Sequence, residues 1–190
     1  MEVEKYIVES DAGLVRLSLE GDNTAFEYLF NRYRDSIHQY YVQRVSGNED
    51  IDDLLQEIFI KVFINMERYD PKYTFGQWIY AIARNTFIDY VRKRRDNISI
   101  DFLPSSVSVP PATALSPEEN IIGMQQRAQI EHYLQKLTPQ YRRLIELRFF
   151  KDYSYEEIAT ELAIPMGTVK TQIHRARTQL CNYITESGIL

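Results

Sequence analysis

Residues 154–180 read SYEEIATELAIPMGTVKTQIHRARTQL, and this stretch decides the fold. Ser154-Tyr155-Glu156-Glu157 has the S-x-x-E form of a capping box, in which Ser154 and Glu157 satisfy free amide groups at a helix start. Ile158, Ala159 and Leu162 then share one face, and Ala159 is small where a neighbouring helix must come close. The helix is expected to stop near Ala163, because Pro165 disfavours helical geometry at Ile164. Pro165 itself suits the first turn of a following helix. In that second helix Val169, Ile173, Ala176 and Leu180 recur at i, i+4, i+7 and i+11 and form the buried side. Lys170, His174 and Arg177 make one exposed stripe; Thr171, Arg175 and Thr178 make the next. A short helix, a tight turn and a second helix with a basic, hydrogen-bonding outer face is an arrangement that enters a DNA major groove. A helical hairpin with a merely solvated basic face is the plainer alternative. Upstream, Leu137, Tyr141, Leu144, Ile145 and Phe149 keep helical spacing and are expected to supply scaffold helices.

The rest of the 190-residue chain is also patterned as helix, with 7 glycines and no alternating strand pattern of any length. Residues 97–119 break the pattern. They hold four prolines, several serines, three acids and no base, a composition that reads as a flexible linker. The expected fold is all-α: two small helical domains, 1–96 and 120–190, joined by the acidic linker 97–119. The first helical pattern begins near residue 20.

Basic residues number 22 and acidic residues 27, for a net charge of −5. That excludes a uniformly basic nucleic-acid binder but not a chain that segregates its charge. Residues 48–57 hold five acids and no base, whereas 84–95 hold five bases and one acid. The single cysteine, Cys181, rules out an internal disulfide and points to a reducing compartment. Scattered His38, His132, His174 and Cys181 make no metal motif, so no cofactor is expected. No apolar run reaches the roughly 18–20 residues of a membrane span, and the polar, acidic N-terminus does not resemble a signal peptide. No motif pairs carboxylates with a nucleophile, a metal set or a phosphate loop, so neither a catalytic residue nor a small-molecule substrate is expected.

Within 48–70, Leu54, Leu55, Ile58, Val62 and Met66 repeat at helical spacing, while Asp53, Gln56 and Glu57 fall on the opposite face with Asp52 beside them. Asn48 is a plausible N-cap. Early acids suit the helix dipole, which accounts for Glu49 and Asp50; the density at 52–57 also invites a basic protein partner. A second helix runs from Phe75 to about Arg95, with a core stripe of Ile79, Ile82, Ala83, Thr86, Phe87 and Tyr90. Arg84, Asn85, Arg92 and Arg95 lie on exposed stripes. Trp78 and Tyr80 are either stacking surfaces for unpaired bases or ordinary core.

These motifs together resemble the sigma-70 family of bacterial RNA polymerase sigma factors, in particular its extracytoplasmic-function (ECF, group IV) members. Gly21 to Leu29 is similar to the family's G-D-x-x-A-F-x-x-L opening. Asp52 to Phe59 (DDLLQEIF) is similar to region 2.2, and Phe75 to Asn85 (FGQWIYAIARN) to regions 2.3 and 2.4. Ser154 to Ala159 and Pro165 to Lys170 are similar to region 4. The likeness covers about 20–95 and 120–185, with no region 1 extension.

The resemblance implies a non-enzymatic, cytoplasmic sigma factor that binds polymerase core and directs promoter-specific initiation. Asp52, Asp53, Gln56 and Glu57 are implied to dock on the β′ clamp helices of the polymerase core, whose β flap is a further implied partner. Asn85, with the loop Tyr69–Thr74 that includes Lys72 and Tyr73, is implied to capture a flipped base of the −10 element. Trp78, Tyr80, Arg84, Arg92 and Arg95 are implied to lie near the opened strand. Thr168, Lys170, Thr171, His174, Arg175 and Arg177 are implied to meet the −35 element, and an anti-sigma factor is an implied partner. A stand-alone helix-turn-helix regulator and a decoy that sequesters an anti-sigma factor are the alternatives. With a long linker, the two domains are expected to be able to close on each other.

Overall fold

The computed structural model describes residues 2–45, 47–94 and 128–185. The proposed linker 97–119 and Arg95 lie outside the described residues. Every regular element among those described is a helix.

Two short helices precede the point where the helical pattern was expected to begin: α1 (Glu2–Val8) and α2 (Asp11–Leu19). Their shortness hides them from periodicity, and tertiary contacts supply what length does not. Ser10 caps α2 by accepting from the Gly13 amide. Leu14 and Val15 are buried. Tyr6 stacks on Tyr28 at 5.3 Å and donates to Asp22 at 2.8 Å. Arg32 Nη2 donates to the carbonyls of Tyr6, Ile7 and Glu9 and so holds the end of α1.

Helices α3 (Asn23–Val42), α4 (Asn48–Asn65) and α5 (Phe75–Arg94) build the N-terminal block. Asp22 caps α3 through the Ala25 amide. Phe26 and Phe30 of α3 meet Phe59 and Phe63 of α4 edge-on, with centroids 4.8–5.0 Å apart for the closest pairs, an arrangement aromatic quadrupoles favour. The buried Tyr41 hydroxyl donates to the Ala83 carbonyl at 2.7 Å and ties α3 to α5. Asn48 is the first residue of α4 rather than its cap; Gly47 stands at the cap with φ +151°, a conformation that favours glycine.

The C-terminal block starts with α6, helical over 128–136. Thr138 and Pro139 end it and begin α7 (Pro139–Ile145), Thr138 accepting from the Tyr141 amide. The scaffold helices expected upstream of Ser154 are therefore α6 and α7, which meet at Thr138. Helix α7 runs into a wider π-helical turn, Glu146–Phe150. Then come α8 (Tyr155–Leu162) and α9 (Met166–Ile184). The capping box at Ser154 is complete in both directions, at 3.1 and 2.7 Å. Ala163 closes α8 in the left-handed conformation, φ +52°, and Pro165 caps α9 rather than entering its first turn. Leu144, Leu147, Ile158, Val169 and Ile173 form a small separate core beneath this helix-turn-helix.

The two blocks pack against each other. Ile130, Tyr133, Leu134, Leu137, Phe149, Leu180, Cys181 and Ile184 join the same apolar core as α3, α4 and α5. Polar contacts pin the edge: Asn23 Nδ2 donates to the Ile184 carbonyl at 3.0 Å and bonds Tyr133, and Gln129 donates to Asn23 at 2.6 Å.

Candidate nucleic-acid interface

On α4 the four acidic-face residues divide. Asp52 is exposed, Asp53 and Gln56 are half-buried, and Glu57 is buried, contrary to its expected place on a solvent face. Glu57 Oε1 lies 2.6 Å from Arg148 Nη2 and 3.0 Å from Lys61 Nζ, and its Oε2 is 3.6 Å from Arg177 Nη1. Burial opposes ionisation of Glu57, but the ammonium and two guanidiniums more than offset it and hold the carboxyl well below the usual carboxylate range. Asp53 Oδ1 meets Arg177 Nη2 at 2.7 Å and His174 Nε2 at 3.4 Å.

Arg177, expected on the exposed stripe of α9, is therefore buried, with its side chain 3% exposed. Helical phase placed it correctly relative to Lys170 and His174; what phase could not show is that α4 covers that end of the stripe. Lys170, Thr171, His174 and Arg175 remain exposed, and Thr168 is half-buried. Arg148 was not singled out in the sequence. The signal was a guanidinium flanked by Leu147, Phe149 and Phe150, where a buried charge needs a partner.

Helix α5 is set by a second reciprocal cap. Thr74 Oγ1 accepts from the Gln77 amide at 3.2 Å and Gln77 Oε1 accepts from the Thr74 amide at 3.0 Å. Asp70 folds the preceding loop by accepting from the Lys72 amide at 3.0 Å. Tyr69 packs on Phe75 and Trp78 with centroids 5.6 and 5.5 Å away, and its hydroxyl donates to the Tyr73 carbonyl. Trp78 is core, 5% exposed, and Tyr80 points outward, so the two aromatics part company. Lys72, Tyr73, Tyr80 and Arg92 are exposed; Arg84 and Asn85 are half-buried. Arg92 lies 3.8 Å from Asp89. Asn85 and Trp78 border a cleft of about 750 Å³ whose far wall is Ile130, Leu134 and Phe149 of the C-terminal block. Lys61, Arg68 and Asn85 line that cleft with Trp78 and Phe150, while Tyr73 and Tyr80 are exposed outside it; cations, an amide and aromatics are the side chains that hold an unstacked strand, whereas α9 presents cations and hydroxyls as a duplex reader does.

Comparison with known proteins matches two separate segments of the chain. Residues 29–97 match the Sigma-70 region 2 family and residues 127–180 match Sigma-70, region 4. The chain is 32% identical over 167 residues to the ECF RNA polymerase sigma factor SigW of Bacillus subtilis, covering 85% of this chain and 89% of that protein. The chain belongs to the sigma-70 family. It is also 34% identical over 182 residues to the ECF RNA polymerase sigma factor SigE of Mycolicibacterium smegmatis, covering 94% of this chain and 70% of the other. Among solved structures, Rhodobacter sphaeroides SigE in complex with the anti-sigma ChrR aligns with 88% of this chain and 96% of its own at 24% identity, with a TM-score of 0.41. Helices α4 and α5 lie within the region 2 match of this sigma factor, and α7, α8 and most of α9 within region 4. Helices α1 and α2 precede both matches. Among the described residues, no helix is long and apolar enough to cross a membrane.

Proposed function

We infer that the protein is an ECF (group IV) sigma factor that binds RNA polymerase core and directs promoter-specific transcription initiation. The observation that carries this reading is the order of the two family matches, each supplying a surface of the right chemistry: acids on α4, aromatics and an amide around α5, and outward Lys170, Thr171 and Arg175 on α9. The domains are taken as 1–96 and 120–190 with 97–119 between them. Asp52, Asp53, Gln56 and Glu57 dock on basic helices of the β′ clamp, and the C-terminal block meets the β flap. Thr168, Lys170, Thr171, His174, Arg175 and Arg177 take the −35 duplex. Tyr69, Lys72, Tyr73, Trp78, Tyr80, Arg84, Asn85, Arg92 and Arg95 serve the −10 element. The chain performs no reaction of its own, works in the cytoplasm and answers to an anti-sigma factor.

The mechanism divides into attachment, reading and opening. Carboxylates on a rigid helix steer a basic partner and fix register. Cations on α9 reach base edges and phosphates in the major groove. Extruding a base costs a few kcal/mol of stacking, which contacts from Asn85 and the neighbouring aromatics offset. With a net charge of −5, the free protein neutralises few phosphates, so its affinity for DNA alone is low and polymerase supplies the rest.

Initiation by sigma-free bacterial core polymerase on pooled promoter fragments tests this reading. Addition of the protein produces promoter-specific transcripts, and the double variant Asp53→Lys, Glu57→Lys removes them. Tight, sequence-specific DNA binding by the protein alone with no initiation would support a stand-alone regulator instead.

A further inference from the structure

Helices α1 and α2 precede both family matches, yet the start of α2 reaches the loop Tyr69–Thr74 through an unbroken chain of contacts. Asp11 is the first residue of α2, next to its Ser10 cap. An acid there suits the helix dipole, but this carboxylate also faces α3. One oxygen accepts from the Tyr33 hydroxyl, and the other lies 2.9 Å from Arg32 Nη1. Arg32 Nη2 holds the carbonyls of Tyr6, Ile7 and Glu9, so the carboxylate is itself fixed. The Tyr33 ring lies 5.5 Å from that of Phe75, the first residue of α5. Phe75 in turn packs on Tyr69 at 5.6 Å and on Trp78 at 5.5 Å. The Tyr69 hydroxyl closes the loop on the Tyr73 carbonyl at 2.7 Å. We propose that Asp11 and Tyr33 are positioning residues for the opened strand: they touch no DNA, but they set where the loop and the start of α5 stand.

Two further observations support a brace rather than ordinary packing. The first is Gly76. A Cβ built there would meet Tyr33 Cε1 at 3.1 Å and the Tyr33 hydroxyl at 3.5 Å. The ring therefore lies directly on the backbone of α5, at a distance that a residue with a side chain would crowd. Tyr33 has little room to yield, because Asp11 anchors its far end. The second is that α2 also packs on the turn Met66–Arg68, which leads from α4 into the same loop. The loop is thus supported at its entry by α2 and at its exit by Tyr33. Burial and the Asp11 carboxylate push the Tyr33 phenol up to about 12, so it remains a protonated donor at neutral pH. Closely packed rings transmit displacement because they leave no void to absorb it. A shift of Tyr33 is therefore passed through Phe75 to Tyr69, and from Tyr69 to the backbone that carries Lys72 and Tyr73.

This inference rests on the reading of the loop Tyr69–Thr74 as part of the opened-strand site, and the experiment separates the two. Tyr33→Phe removes the anchoring hydroxyl, Asp11→Ala removes its acceptor, and Gly76→Ala pushes the ring from the other side while adding a better helix former. The full-length variants are compared with wild type, after thermal melting confirms that each is folded at the assay temperature. Trp78 is the chain's single tryptophan and packs on both Tyr69 and Phe75, so acrylamide quenching of its fluorescence reports the loop directly in the free protein. Each variant is then assembled with core polymerase on a promoter found by the initiation assay, and permanganate reactivity of the opened strand is measured beside upstream protection and core affinity. In all three variants quenching should rise and permanganate reactivity fall about tenfold, with upstream protection and core affinity held within about twofold. A merely structural role would lower all three polymerase readouts together, and that result overturns the inference. So does permanganate reactivity equal to wild type in the three variants, or unchanged Trp78 quenching. Tyr73→Ala reports on the loop itself: full permanganate reactivity in that variant would sink the strand-holding reading, while Trp78 quenching still judges the brace.

Discussion

Around α5, Lys72, Tyr73 and Tyr80 stand in solvent, whereas on α9 two of the cations proposed to meet DNA are engaged by carboxylates of α4. Both surfaces were read from residue type and helical phase; Trp78 on the first and Arg177 on the second are buried instead. They differ in what lies opposite. The α5 surface offers exposed Tyr73 and Tyr80 and a half-buried Asn85 that borders a cleft. The α9 surface offers cations, and α4 carries the complementary charge. A surface built for a charged partner can be satisfied inside the same chain; a stacking surface is harder to satisfy that way.

The largest effect should come from removing the centre of the charged contact. Glu57→Ala leaves Arg148 and Arg177 buried with only Asp53 opposite, and should cost about 3–5 kcal/mol in thermal or denaturant unfolding. The same group predicts a pH signature. Because the folded carboxyl is held well below its ordinary range, its stabilisation is complete above the unfolded value of about 4.3 and is lost as pH falls below it. Wild type should therefore lose more stability than Glu57→Gln on acidification through that window; parallel curves would contradict the network. Next come the two surfaces proposed to meet DNA, which should fail differently. Tyr73→Ala or Tyr80→Ala should weaken the opened complex by about 1–3 kcal/mol without altering duplex binding by the C-terminal block. Lys170→Ala or Arg175→Ala should cost about 1–3 kcal/mol in binding to the −35 duplex and relax its sequence preference, measured by competition among mutated duplexes. The smallest effect belongs to the cap that orients the helix-turn-helix. Ser154→Ala should cost about 1 kcal/mol in unfolding experiments.

Much of this was legible in the sequence. The spacing of Val169, Ile173, Ala176 and Leu180 gave the buried side of α9, and Ile79, Ile82, Ala83 and Thr86 gave that of α5; all are buried. The capping box at Ser154 and the stop at Ala163 are local chemistry and were readable as such. Helices α1 and α2 were not, because short segments carry little periodic signal and owe their stability to Tyr28, Asp22 and Arg32 elsewhere in the chain. Nor was the second cap, Thr74 with Gln77, although it has the same T-x-x-Q logic. Glu57 and Arg177 show the harder limit. Phase tells which face a residue shares, but whether that face meets water depends on a contact between residues 91 or more positions apart along the chain, such as Glu57 with Arg148. Periodicity carries no information about such a pair; an arginine flanked by Leu147, Phe149 and Phe150 does, since burial demands a counter-charge.

The central claim is that one chain reads duplex DNA with α9 and holds an opened strand with the α5 surface. Permanganate and nuclease footprinting of the polymerase holoenzyme on one promoter tests it most directly, comparing Asn85→Ala with the double variant Lys170→Ala, Arg175→Ala. The account predicts that the Asn85 variant keeps upstream protection but loses permanganate-reactive thymines, while the α9 variant loses the upstream protection itself. Identical footprints for the two variants, or loss of upstream protection on changing Asn85, would contradict it.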